Sequence, residues 1–143
     1  MTNSLIKIAK DFHWEMAHRL PYHQGGCQNL HGHSYRLNVE ISGTVLPNGM
    51  LMDYSDLKTI VKPLVDELDH AFLCSEDDEL MKNFLKGKSF KVVYIPYYST
   101  AENIAGYFAD KIAAQLKPYK HLRSLKIRIA ETINTYAEIS VDL

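Results

Sequence analysis

Two long runs of alternating residues near the N-terminus constrain the fold of this chain more than any other feature. From Ile6 to His18 the even positions carry Ile6, Ile8, Phe12, Trp14, Met16 and His18, interrupted only by Lys10, while Lys7, Asp11, His13 and Glu15 take odd positions. From His31 the odd positions His31, His33, Tyr35, Leu37, Val39 and Ile41 alternate with Ser34, Arg36, Asn38, Glu40 and Ser42, and the run ends at Gly43. Period-two patterning predicts half-buried strands, and side chains two apart then share one face. Arg19 to Leu30 has no period and carries Pro21, Gly25 and Gly26, so it reads as an ordered loop between them.

The rest of the chain changes period. Leu57, Ile60, Val61, Leu64, Val65 and Leu68 follow helical spacing, with Asp53 or Ser55 as the cap and Pro63 expected to kink the element. Ser75 to Leu85 opens on Glu76, Asp77, Asp78 and Glu79 and reads as a short helix whose charges form a solvated face. Lys91 to Ile95 reads as a short strand ended by Pro96, and Thr100 to Leu116 as a second long helix. Leu125, Ile127, Ile129 and Glu131, then Ala137, Ile139, Val141 and Leu143, alternate in phase and predict a closing strand pair around Asn134. Strand, strand, helix, short pieces, helix, strand, strand is an α+β order with helices on one face, as opposed to a doubly wound βαβ one. Open sheet edges predict oligomerisation.

At 143 residues the chain has room for one domain, spanning 1–143. Sixteen Lys plus Arg against seventeen Asp plus Glu give a net charge of -1 without a basic tract, which excludes bulk electrostatic binding to nucleic acid or membrane. Only two cysteines occur, and no apolar run is long enough to span a bilayer, so the expectation is a cytoplasmic protein with free thiols.

The seven histidines are the compositional oddity. His31 and His33 share the apolar face of their strand, and His18 falls independently on that of its own. Three inward imidazoles would repel if protonated and need partners if neutral, and a divalent cation resolves both demands. Three nitrogen ligands with an open fourth position match a catalytic zinc site. Cys27, four residues before His31, is either a fourth ligand closing a structural site or a reactive thiolate. Asp69-His70 ends the first helix, where a His meets the negative end of the helix dipole or, with its neighbouring carboxylate, transfers protons. Glu131 occupies an apolar-parity position and must be paired, by an internal Arg or by a ligand edge with two N–H donors. Glu102 fits the capping box Ser99-Thr100-Ala101-Glu102 or contacts a ligand. His-x-His on a strand also suggests a cupin, but Leu37 stands where that pattern wants a Glu, and two long helices oppose an all-β barrel.

Taken together, these residues resemble the 6-pyruvoyl-tetrahydropterin synthase family over nearly the whole chain. The resemblance rests on Phe12 through Ala17-His18-Arg19-Leu20, Cys27-Gln28-Asn29-Leu30-His31-Gly32-His33, Gly49-Met50 through Asp53-Tyr54, Leu68-Asp69-His70, Thr100-Ala101-Glu102-Asn103 and Glu131. The short gap between Cys27 and His-Gly-His is similar to the carboxy-forming bacterial and archaeal branch of queuosine biosynthesis. Two features depart from the family pattern: Ser99-Thr100 stands where Pro-Thr is usual, and Leu73 to Val92 is longer and more acidic than in the shortest members.

The resemblance implies a T-fold: a four-stranded antiparallel sheet with two long helices on one face, trimers closing a barrel, and two trimers stacking into a homohexamer. It implies Zn2+ on His18, His31 and His33, Cys27 as proton-abstracting base with Asp69 and His70 as acid/base partners, and Glu131 anchoring a pterin ring beside Thr100 and Glu102. Sites between subunits would bring Cys27 and His70 to one substrate from different chains. The implied substrate is 7,8-dihydroneopterin triphosphate, and the product 6-carboxy-5,6,7,8-tetrahydropterin with release of triphosphate and acetaldehyde. Triphosphate elimination without side-chain cleavage and a non-catalytic zinc module are the alternatives. Arg19 and His23 are the nearest candidate cations for the triphosphate.

Overall fold

The computed structural model describes residues 4–143. Both alternating runs form thirteen-residue strands, β1 (Ile6–His18) and β2 (His31–Gly43), paired antiparallel from Ile6↔Gly43 to His18↔His31. A 3-10 turn at Gly26–Gln28 lies in the loop between them. The chain continues through α1 (Tyr54–Leu68), β3 (Ala71–Ser75), α2 (Glu79–Leu85), β4 (Val92–Ile95), α3 (Ala101–Leu116), β5 (Leu122–Thr132) and β6 (Thr135–Asp142). Strands order as β4-β3-β1-β2-β5-β6 in one six-stranded sheet.

This corrects the expected four-stranded antiparallel sheet with two helices. Four long strands do pair antiparallel, but β3 adds to β1 in parallel and β4 adds to β3 in parallel, with α2 as a third helix crossing between them. β3-α2-β4 is a local βαβ unit at one edge of a sheet that is otherwise antiparallel and not doubly wound. β3 escapes a period-based reading because Ala71, Leu73, Cys74 and Ser75 are all buried, so no exposed polar residue marks an alternation.

The even residues of β1 and odd residues of β2 face α1 and α3. Trp14 stacks on Tyr35 with ring centroids 5.3 Å apart and meets Phe108 of α3 at 5.6 Å. Phe108 is fully buried, a placement that contributes about 2–3 kcal/mol through apolar burial. Lys10, the break in the alternation, lays its ammonium 5.8 Å from the Phe12 ring centroid, so its stem follows the apolar face while its charge stays near water. The opposite face is polar, with ion pairs linking Glu40 to Lys126 and Glu138 to Arg128.

The predicted helix signals are realised with shifts. Asp53 caps α1, accepting from Ser55 N at 2.7 Å, and Pro63 lies inside that helix without ending it. Thr100, not Ser99, caps α3, accepting from Asn103 N at 3.2 Å. The expected capping box is therefore not formed, and Glu102 is not tied to a cap. Asp78 is also corrected: it is 3% exposed, caps α2 and lies 3.3 Å from Arg19 Nε, so it belongs to a buried ion pair rather than a solvated face. Arg19 thereby has one side of its guanidinium turned to Asp78. The strand pair closes across Asn134 as expected, with a register irregularity between Ala130 and Thr132 that falls on Glu131. Among the described residues, no helix is long and apolar enough to cross a membrane.

Candidate active site

The β1–β2 pairing places His18 opposite His31, and the pleat brings His33 onto the same face. The three imidazoles stand edge to face, with centroids 4.6 Å apart for His18–His31, 5.2 Å for His18–His33 and 5.0 Å for His31–His33. One ring nitrogen from each lies within 4.8 Å of the other two. His18 is 2% exposed, whereas His31 and His33 are partly open.

Backbone carbonyls fix the tautomers. His18 Nδ1 lies 2.8 Å from Ser99 O, and His31 Nδ1 lies 2.7 Å from Asn29 O. A carbonyl only accepts, so both Nδ1 atoms donate, and the neutral rings present bare Nε2 lone pairs. His18 Nε2 is buried with no hydrogen-bond partner. Burial holds the His18 pKa down at about 4, with repulsion from His31 and His33 adding to it; burial and His31 lower that of His33. A buried, neutral, unsatisfied nitrogen beside two further imidazoles fits a divalent cation, and outer nitrogens held by carbonyls are the usual support of metal-binding histidines. Sequence reasoning missed that Ser99 and Asn29 hold these rings: Asn29 acts through its carbonyl alone, and Ser99 through its carbonyl with its Oγ 3.1 Å from the same His18 Nδ1, contacts that no spacing along the chain announces.

Glu131 faces this cluster. Its Oε1 lies 4.0 Å from His18 Nε2 and its Oε2 3.9 Å from His33 Nε2. No arginine pairs with it among the described residues, which removes the internal-pair reading. Burial, then repulsion from Glu102, raises its pKa, with His31 opposing. Glu131, Glu102 and Thr100 line one recess of about 180 Å³ with Leu20, Ala101, Thr135, Tyr136 and Ala137.

Cys27 lies in the 3-10 turn as a partly buried free thiol. Its carbonyl accepts from Leu20 N at 2.8 Å, which fastens the loop to the end of β1. The metal-competent cluster does not include Cys27, so this geometry does not make it the closing ligand. His23 Nδ1 accepts from Gly25 N at 2.9 Å.

Asp69 and His70 lie elsewhere. His70 has φ 60, the only non-glycine positive φ among the described residues, at a helix-terminating position usually given to Gly. Its N–H donates to Glu15 O at 2.6 Å, and Asp69 Oδ1 accepts from Glu15 N at 3.1 Å. Lys91 Nζ donates to the Asp66 and Asp69 carbonyls, capping the end of α1. Asp69 Oδ1 also lies 2.9 Å from His70 Nδ1, which leaves Nε2 free at the exposed tip. The Glu15 amide bond is the largest cause holding the Asp69 carboxyl below its usual range, followed among the lowering contributions by His70 and Lys91. His70 opens on a recess lined also by Glu15, Met16, Ala17, Gly32, His33, Ser34 and Ala71, in which Glu15, Ala17 and Ser34 have the strand parity opposite to the three imidazoles and His33 forms part of the border. The structure thus gathers His18, His31, His33 and Glu131, with Thr100 and Glu102 alongside, and does not bring Asp69 and His70 to them within one chain.

A mixed sheet backed by helices, with three inward histidines at the loop end of a hairpin, defines an α+β protein with a site that could hold a metal ion. The chain belongs to the 6-pyruvoyl tetrahydropterin synthase family, whose model matches residues 7–142. It is 39% identical to the 6-carboxy-5,6,7,8-tetrahydropterin synthase of Haemophilus influenzae, over 94% of this chain and 98% of that protein. The similarly named protein of Aquifex aeolicus is 31% identical over 92% of this chain and 96% of its own length. Among solved structures, 6-pyruvoyl tetrahydropterin synthase from Plasmodium vivax matches with a TM-score of 0.81 at 19% identity, covering 98% of this chain and 99% of that one.

Proposed function

We propose that this chain converts 7,8-dihydroneopterin triphosphate to 6-carboxy-5,6,7,8-tetrahydropterin, releasing triphosphate and acetaldehyde, as a zinc enzyme of queuosine biosynthesis. The observation that carries the reading is the set of three imidazoles, two with Nδ1 held by a carbonyl, facing a carboxylate beside an open recess. The names of the relatives support the carboxy-forming outcome.

His18, His31 and His33 would hold Zn2+. A cation there would supply Lewis acidity to the substrate's side-chain hydroxyls. Glu131 anchors the pterin ring, its two oxygens matching adjacent N–H donors on the ring edge, with Thr100 and Glu102 on the same wall. Cys27, in the turn before the metal strand, takes the proton from the side-chain carbon as thiolate. Asp69 holds His70 Nδ1–H so that Nε2 exchanges protons with the reacting hydroxyls. Because His70 faces away from its own chain's cluster, it serves a neighbour's site, in a homohexamer with sites between subunits and a cytoplasmic location.

The test is incubation of zinc-loaded protein with 7,8-dihydroneopterin triphosphate, with triphosphate, acetaldehyde and pterins quantified together. Equimolar acetaldehyde and 6-carboxytetrahydropterin are expected. Triphosphate without acetaldehyde would instead assign the pyruvoyl-type reaction, and no turnover would overturn the enzymatic reading. Alkylation of Cys27 in the zinc-loaded protein is expected to abolish turnover; rapid labelling without loss of turnover removes Cys27 from the mechanism.

A further inference from the structure

The Glu131 carboxylate stands in a position that ring anchoring alone does not explain. It straddles the cluster, with one oxygen 4.0 Å from His18 Nε2 and the other 3.9 Å from His33 Nε2. These separations are no longer than the 4.8 Å spread among the three histidine ligand atoms themselves. His18 Nδ1 donates to Ser99 O, so its Nε2 presents a lone pair, and Glu131 Oε1 presents another. Two acceptors facing each other in a partly buried site repel, and neither distance allows a hydrogen bond. A cation between them converts that repulsion into attraction.

The carboxylate is near enough to be drawn in as a fourth ligand by rotating its side chain. Donor atoms about 2.0–2.1 Å from a tetrahedral zinc lie about 3.4 Å from one another, and each Glu131 oxygen stands about 0.6 Å beyond that spacing from the one imidazole it faces. As it stands the carboxylate, like Cys27, is outside the cluster of the three histidine ligand atoms, so one oxygen must swing toward all three to join it. Three imidazoles would leave one position of a tetrahedral cation unfilled, and Glu131 is the carboxylate that borders two of the three. The same residue lines the recess beside Thr100 and Glu102. One side chain therefore borders both the metal cluster and the pocket for the ring.

We propose that Glu131 has two stations: in the substrate-free protein its carboxylate is the fourth ligand of the cation on His18, His31 and His33, and the pterin ring draws it off, opening that position. The inference rests on the reading above in which Glu131 anchors the ring. Its consequence is an antagonism built into one residue. A ligand that engages Glu131 without offering the metal replacement oxygens should weaken metal binding, and by linkage the metal should weaken that ligand.

The experiment uses the full-length protein loaded with Co2+, read by visible absorption and by chelator competition. Glu131→Gln is expected to change the ligand-field bands and to weaken Co2+ binding by about tenfold or more, a loss typical of removing one supporting group from a metal site. Glu131→Asp, too short to reach the cluster, is expected to behave the same way, with thermal melting showing both variants folded. Adding a reduced pterin that lacks the hydroxylated side chain is expected to shift the wild-type bands toward those of Glu131→Gln and to hasten metal loss. Unchanged bands and unchanged Co2+ affinity in both variants overturn the proposal. Ring anchoring fails separately, if the side-chain-free pterin binds wild type and Glu131→Gln equally. A His31→Ala protein that still binds Co2+ tightly would remove the metal centre itself.

Discussion

At the loop end of the β1–β2 hairpin the titratable groups are held in advance. His18 is buried, its Nδ1 and that of His31 are tied to carbonyls, and both anchors lie in the same chain. Across the sheet, at the start of β3, the Asp69–His70 pair is exposed at the tip of a left-handed turn and aims into a recess of the opposite face. The first region is organised to bind, with low-dielectric surroundings and neutral nitrogens. The second is organised to be presented, with a backbone strain of about 1–2 kcal/mol retained at His70. A single chain thus carries the three-histidine cluster and the Asp69–His70 pair without closing them on each other.

The sharpest way to break this contrast is to remove the binding half. His31→Ala is expected to abolish stoichiometric metal binding and turnover together, checked by elemental analysis and product assay. Full activity in a metal-free variant would end the assignment of the cluster.

Removing the presented half should act differently. His70→Ala is expected to lose about 10²–10⁴-fold in turnover with metal content unchanged, as for loss of a proton-transfer group. Because the two halves lie on opposite faces, co-assembled His31→Ala and His70→Ala chains are expected to regain part of the wild-type activity. Each variant assembled alone is expected to regain none. No recovery in the mixed oligomer would mean that both halves serve within one chain.

Acid sharpens the comparison by acting on the buried half. His18 has a pKa near 4 in the folded chain against 6.5 for an exposed imidazole, so between these values the unfolded chain binds more protons. The metal-free protein is therefore expected to lose stability as pH falls from about 6.5 to about 4, by on the order of 3 kcal/mol. Urea titrations across that range check this, and His18→Asn should flatten the slope. The smallest effect belongs to the turn: His70→Asn keeps a residue tolerant of positive φ, so stability should stay within about 0.5 kcal/mol of wild type.

The binding half was legible because period two is strict in β1 and β2, and parity alone puts His18, His31 and His33 on one face. Parity also showed that Glu131 needs a partner, but its choice of partner depends on the irregularity at Ala130–Thr132, which no residue type announces. The presented half was legible only as a pair of residue types. Its orientation depends on β3, a strand buried along most of its length and so without alternation, and on Glu15 backbone groups that hold Asp69 and His70. The Arg19–Asp78 pair was hidden for a related reason: an acidic run reads as solvated until the fold brings a guanidinium beside one member.

The parallel ladder that joins Met16–His18 to Ala71–Leu73 has a kinetic meaning as well. Contacts distant in sequence form late, because a long loop must be closed before they return any stability, whereas the pairing of His18 with His31 spans only a short connection. During refolding the three-histidine end of the hairpin should therefore form ahead of β3, so that His18, His31 and His33 are gathered before the His70 turn docks against Glu15.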